Sequence, residues 1–426
     1  MALAATFLSG ARSRLLPASI PFRFFATAMV FHIAAWLTLL AGATPATSFA
    51  GGLGMPLAAL HLLTLGVLVM TAIGASLQLL PVATRQSVGS AGALAALWWA
   101  YTPGVLLLTL GMAFAHAWLL AGGAMLVVLA LAAYTLLLGR NLLQAKGMAI
   151  VVSHGLLALT SLIVVMASGL SLAGTYHGHA LFDRLSAIGL HVAFAPYGFM
   201  TLLIMGFSYI LIPMFALSET PRQRPALASA ALAGVALVLA LPAAFGVAPM
   251  VLWPLAIAAA AGSLVLHMAL MRYALRTGMR QNLGRPLVLV RIGWAGLLAS
   301  LALALAVVLE VDVPRLRTLF GVVLLGALLT FLMGILSRIV PFLASMHAPT
   351  NRRGPPLPST LTAEGPLTVH FWCHLSAFAL LLVAVAADSE WLARLAAVVG
   401  TAAAVAFAWF FAVAYRRMRP APAPSA

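Results

Sequence analysis

From residue 20 to residue 418 the chain is a succession of apolar runs of about 20 residues or more, separated by short breaks rich in Arg, Gly and Pro. The runs start near residues 20, 55, 90, 115, 148, 187, 226, 249, 287, 318, 367 and 391. In lipid the backbone must satisfy its own hydrogen bonds, so each run reads as a spanning helix. The pattern predicts an all-α membrane protein: a cytoplasmic N-terminal stretch over 1–19, a single twelve-helix domain over 20–418, and a disordered tail over 419–426. Arg12, Arg14 and Arg23 before the first run and AGATPA after it resemble a signal peptide with its cleavage site. The apolar stretch from Phe24 to Ala41 is longer than such a segment needs, so it is read as the first span.

Three of the runs end alike. GASLQLLP (Gly74 to Pro81), GFSYILIP (Gly206 to Pro213) and GILSRIVP (Gly334 to Pro341) close runs two, six and ten. A Gly and a Pro at this spacing also occur by accident, as at Gly10 with Pro17 and Gly189 with Pro196. Position sets the three apart, each at the same end of its run, four runs from the next. They predict three pseudo-repeated four-helix units, at about 20–140, 148–276 and 287–418. Local packing explains each motif equally well, since the glycine permits close helix approach and the proline stiffens the helix exit.

Composition sharpens the class: 64% hydrophobic and 7% charged residues exclude a water-soluble domain. Charge then gives orientation. With the N-terminus inside, the outer loops keep only Arg184, Arg315, Arg317 and Arg394 of the 23 basic residues, and hold five of the seven acids. The other basic residues fall inside, which predicts a bacterial-type inner-membrane protein with both termini cytoplasmic. The net charge of +16 therefore meets lipid headgroups, and no nucleic-acid partner is expected. A single cysteine, Cys373, leaves no disulfide framework or thiolate cluster, so a metal or haem would be held by His, Met or Tyr. The Pro-rich inner loop from Pro349 to Pro366 carries no chemistry.

Eleven histidines against seven acids is an unusual balance in such a chain, and intramembrane histidines are functional candidates. His61 lies 20 residues before Pro81 and His191 lies 22 before Pro213. At helical rise these are about 30 and 33 Å, matching depths near the outer edge of the hydrocarbon. The third repeat has Leu319 and Gly321 there instead. His61 and His191 are the candidate cofactor ligands. His370 and His374, one turn apart on a helix face, form a candidate metal pair with His154 as a further ligand; interhelical hydrogen bonding is the plainer reading. His32 is assigned to the outer group, and His267 and His347 to the inner one.

HLLTLGVLVMTAIGASLQLLPV from His61, HVAFAPYGFMTLLIMGFSYILIPMF from His191 and GILSRIVPFLASMH up to His347 resemble the catalytic subunit of the heme-copper oxidase superfamily. They are closer to its divergent relatives, the NnrS family and proteins similar to the catalytic subunit of cbb-type oxidases, and PFRFF at Pro21 to Phe25 resembles an N-terminal NnrS signature. The resemblance implies that His61 matches a low-spin haem ligand and His191 a copper ligand. It also exposes losses, since the family's two adjacent helix-seven histidines have no counterpart between Ala226 and Gly246, and its helix-ten pair is missing. The family's tyrosine one turn after the copper ligand is replaced by Ala195, with Tyr197 two residues later.

The resemblance thus implies a b-type haem, with copper as a further metal, and no proton-pumping oxygen reduction. The expected role is redox, nitric-oxide-related or metal-handling, with a periplasmic electron-transfer protein or another membrane subunit as partner beside the lipid bilayer. Leu62, Leu65, Phe194 and Phe199 are expected porphyrin walls, and Met70, Met200 and Met205 are soft ligands or, more plainly, core. Two other classes fit twelve spans: a secondary transporter, which would favour inverted repeats and a midplane charge, and a non-catalytic assembly subunit.

Overall fold

A computed structural model describes residues 15–280, 282–349 and 355–419. Most of the N-terminal stretch, part of the Pro-rich loop and nearly all of the expected tail lie outside these residues. Among the described residues, twelve helices are long and apolar enough to cross a membrane: α1 Ser19–Ala41, α2 Met55–Thr84, α3 Ala91–Ala113, α4 Ala117–Leu143, α5 Ala149–His177, α6 Arg184–Ala216, α7 Gln223–Ala244, α8 Pro249–Thr277, α9 Gly284–Val308, α10 Leu316–His347, α11 Glu364–Ala386 and α12 Glu390–Met418. None starts more than three residues from its expected position. The first apolar run is a full member of the bundle, with Phe24 and Phe25 of α1 completely buried.

Three helices form the interior. In α2, α6 and α10 the apolar window is 67, 78 and 67% buried, and in no other helix does it exceed 50%. The remaining helices flank them, and the first and last helices meet, α12 packing against α1 as α4 does against α5 and α8 against α9. Phe22 of α1 seals that junction, 5.9 Å from Phe411 and 5.4 Å from Tyr415, ring centre to ring centre.

Each motif glycine lies where an inner helix meets an outer one. A Cβ on Gly74 would stand 2.7 Å from Phe24 Cβ of α1, and one on Gly206 3.1 Å from His154 Cβ of α5. One on Gly334 would stand 2.6 Å from the Pro286 carbonyl oxygen of α9. Absence of a side chain is what lets these backbones approach. Pro81, Pro213 and Pro341 lie inside their helices and not at the exit. The first two are followed four residues later by a left-handed residue, Arg85 (φ 60°) and Leu217 (φ 52°), which ends the helix. In α10 the helix runs on to His347.

Loops far apart in the chain meet at the two ends of the bundle. At one end Thr47 Oγ1 donates to Asp388 Oδ1 (2.8 Å), Arg315 pairs with the same carboxylate, and Thr318 Oγ1 donates to the Phe49 carbonyl (2.9 Å). At the other, Arg338 donates to the Leu283 carbonyl, and Arg417 Nη1 to the carbonyls of Thr360 (3.1 Å) and Thr362 (3.0 Å).

Candidate functional site

The distinctive local structure in α2 and α6 is a π-helical segment in each. Leu62–Val69 and Phe194–Thr201 both run eight residues, and both begin 19 and end 12 residues before the helix proline. A π segment widens the backbone by one residue per turn and re-aims the side chains before it, which is why such segments gather at functional sites. Chemistry accommodates each one. Tyr101 of α3 donates its hydroxyl to the Leu65 carbonyl (3.0 Å), and Thr201 Oγ1 caps the Pro196 carbonyl (2.8 Å). Gly66 and Gly198, fifth in their segments, admit Phe31 and Ser161, whose Cβ atoms would each stand 2.7 Å from an added Cβ. Sequence reasoning missed both segments, although Pro196 within an apolar run was a signal. Gly66 and Gly198 at matching places were another.

These segments bring the two predicted ligands together. The imidazoles of His61 and His191 stand 6.3 Å apart, ring centre to ring centre, tilted by 31°. Both are half-buried, and α10 packs against both π segments beside them. His61 Nδ1–H donates to the Leu57 carbonyl (3.0 Å). His191 Nδ1–H donates to Ser168 Oγ (3.3 Å), whose own hydroxyl is turned to the Val165 carbonyl (3.2 Å). Each ring thus spends its proton on Nδ1, and its Nε2 lone pair is left without a hydrogen bond among the described residues. A metal-binding histidine is held in this way, by a second hydrogen bond that fixes tautomer and orientation. On α10, the outer Gly321 faces open space, with no atom within 4 Å of where its Cβ would be.

The start of α6 is fixed by Asp183, whose carboxylate accepts from Ser186 N at 3.0 Å. Hydrogen bonds from Ser186, first its hydroxyl and then its N–H, hold the Asp183 carboxyl pKa below the ordinary carboxylate value. The folded-state pKa is the lower one, so the cap's stabilisation is complete above the unfolded value and fades as pH falls through the folded one. Protection of the Ser186 amide, its exchange taken relative to the intrinsic rate at each pH, is expected to be lower at pH 3 than at pH 6, and Asp183→Ala should show the low protection at both. Equal protection in the two proteins at pH 6 would remove the cap from the account.

Other expectations are redrawn. Of the proposed walls, Leu62 and Phe199 are buried in the core and Phe194 packs with Leu190, Ala240 and Ala256 between α6, α7 and α8, while Leu65 stays half-exposed. Met70, Met200 and Met205 are buried core residues, as their plainer reading had it.

His370 and His374 do come together, at 5.1 Å between ring centres. His370 Nδ1–H donates to the Ala403 carbonyl of α12 (2.9 Å), and His374 Nε2 bonds Thr330 Oγ1 of α10 (2.9 Å). These are the interhelical bonds of the plainer reading. His32 faces this pair and not the outer group, accepting at Nε2 from Trp36 Nε1 (3.2 Å). His154 stands elsewhere, beside Tyr209 and His267. Among the described residues, no three His, Cys, Asp or Glu side chains gather into a metal-holding group.

Fold and site define an all-helical protein of twelve apolar spans with a paired-imidazole site between two interior helices. The chain matches no protein-family model, and no curated protein is significantly similar to it.

Proposed function

We propose that the protein is a multi-pass membrane haem protein in which His61 and His191 hold one b-type haem iron between α2 and α6. The observation that carries this reading is the pair of Nε2 lone pairs at a ring separation of 6.3 Å. Two metal–nitrogen bonds of about 2 Å, with half a ring at either end, come to roughly 6 Å. The shared register of the π segments, the three equivalent glycine crossings and the closure of α12 on α1 support a three-unit, oxidase-like architecture. The third unit has neither a histidine at this depth nor a π segment, in keeping with a redox, nitric-oxide-related or metal-handling role without proton-pumping oxygen reduction. Bound haem iron supplies one-electron and gas-ligand chemistry. The chain's own part is to orient the two imidazoles, through the Leu57 carbonyl and Ser168, and to exclude water with apolar walls.

A second reading, a copper(I) ion held by the same two nitrogens, is favoured by the burial of Phe194 and Phe199, which are engaged in packing between helices. An absorption spectrum of the protein purified from haem- and copper-replete cells, with and without dithionite, separates the readings. A Soret band that shifts on reduction is expected. Copper without a Soret band would establish the second reading, and neither metal would return the protein to the transporter or assembly-subunit classes.

A further inference from the structure

A second buried polar group lies between α5, α6, α8 and α9, towards the end opposite His61 and His191. His154, Tyr209, His267 and Trp294 form a file of rings, with centres 5.3, 5.0 and 5.9 Å apart in that order. None is more than 3% exposed. Among the described residues, His154 Nε2, the Tyr209 hydroxyl, both nitrogens of His267 and Trp294 Nε1 have no hydrogen-bond partner. Ser229 and Ser263, the neighbouring buried hydroxyls on α7 and α8, bond one another's helices (2.9 and 2.7 Å), and although Ser229 Oγ also approaches the Tyr209 hydroxyl, the two do not meet hydrogen-bond geometry.

Ten other buried polar atoms among the described residues also have no partner, including both amide atoms of Gln78 and one nitrogen each of His32, His370 and His374, but the file gathers five of the fifteen, and other buried rings are partnered. Tyr134 meets Ser76 Oγ at 2.8 Å, Tyr101 reaches the Leu65 carbonyl at 3.0 Å, and Trp36 reaches His32 at 3.2 Å. Buried polar atoms are hydrogen-bonded as a rule, and five exceptions in one file point to a guest.

The donors and acceptors define that guest. A buried charge without a counter-charge is too costly, so each imidazole counts as neutral. His154 donates its Nδ1–H to the Ile150 carbonyl (2.7 Å) and offers a lone pair at Nε2. Trp294 offers only a donor, whereas Tyr209 and His267 each offer one donor and one acceptor. The file therefore presents three donors and three acceptors. A cation would be repelled by the Trp294 N–H and an anion by the His154 lone pair, but a neutral molecule that both donates and accepts satisfies all of them. We infer that His154, Tyr209, His267 and Trp294 enclose a binding site for a small neutral hydrogen-bonding guest, with water as its resting occupant. The site is separate from the His61–His191 pair and does not depend on what that pair holds.

Radiolytic hydroxyl labelling of the purified full-length protein reads bound water directly, because radicals formed from it mark the side chains it touches. Tyr209 and Trp294 are expected to label several-fold faster than Tyr134, Tyr101 and Trp36, which are equally buried but already partnered. His267→Leu, which deletes the central donor and acceptor, should bring Tyr209 and Trp294 down to the rate of those controls. Trp294→Phe, which keeps an aromatic ring and removes only a donor, should lower Tyr209 labelling partway. Labelling of Tyr209 and Trp294 at the control rate in the wild-type protein would overturn the inference. So would a stoichiometric metal lost in His267→Leu but retained in His61→Ala.

Discussion

His61→Ala and His191→Ala are each expected to strip the proposed haem or copper from the protein, with less than a tenth of the wild-type content surviving purification, about the lower edge of what even outer-shell changes cost. In the proposed reading the two imidazoles are the donors, and each is aimed by its own Nδ1–H, one at the Leu57 carbonyl and the other at Ser168. Losing either leaves one nitrogen on a centre whose geometry needs two. Ser168→Ala should act more gently, because the ring stays while its orienting partner goes; a loss of about 10–100-fold in affinity is typical. Both histidines are half-buried, and His61 bonds only within its own helix while His191 makes a single interhelical bond, to Ser168, so the fold should survive their removal. Metal and haem content per purified chain, measured beside thermal stability, checks the series. Wild-type content in both alanine variants would show that the ligands lie elsewhere.

The second large effect is expected at Gly334. A methyl group there would press on the Pro286 carbonyl oxygen at 2.6 Å and on Leu289 Cβ and Val290 Cγ2 at 3.0 Å. The first of these is backbone, so α9 as a whole must move away from α10. Overpacking of this kind costs about 1–3 kcal/mol, and a rigid backbone neighbour favours the upper end. Gly321→Ala, higher on the same helix, meets no atom within 4 Å and should be neutral or gain slightly from helix propensity. Melting temperatures of the two variants in one detergent decide the matter. Equal values would mean that the α9–α10 crossing is looser than its geometry.

What the sequence disclosed follows from what lipid demands of a chain. Spans were legible because the hydrocarbon sets a minimum apolar length, and every helix began within three residues of its expected start. The pairing of His61 with His191 was legible as depth, since distance from a shared proline fixes height in the bilayer. Azimuth was not. On a lipid-embedded helix the outward face is as apolar as the inward one, so no stripe of polar residues tells which way a side chain points. Trp372 is 61% exposed and Trp36 only 6%, though both sit in apolar runs. For the same reason neither the facing of His32 towards His370 and His374 nor the file through Tyr209 and Trp294 was legible. The π segments were hidden differently, because they shift hydrogen bonds without changing composition.

Contact between α12 and α1 makes the bundle a loop without an end. In an open stack of helical repeats, a further repeat can always be added at an exposed terminal face. Here the first and last helices cover one another's faces, so the number of helices is set by geometry, as the staves of a barrel are set by its girth. An inserted unit would have to break the junction sealed by Phe22, Phe411 and Tyr415, and a deleted one would leave α2, α6 or α10 bare on one side.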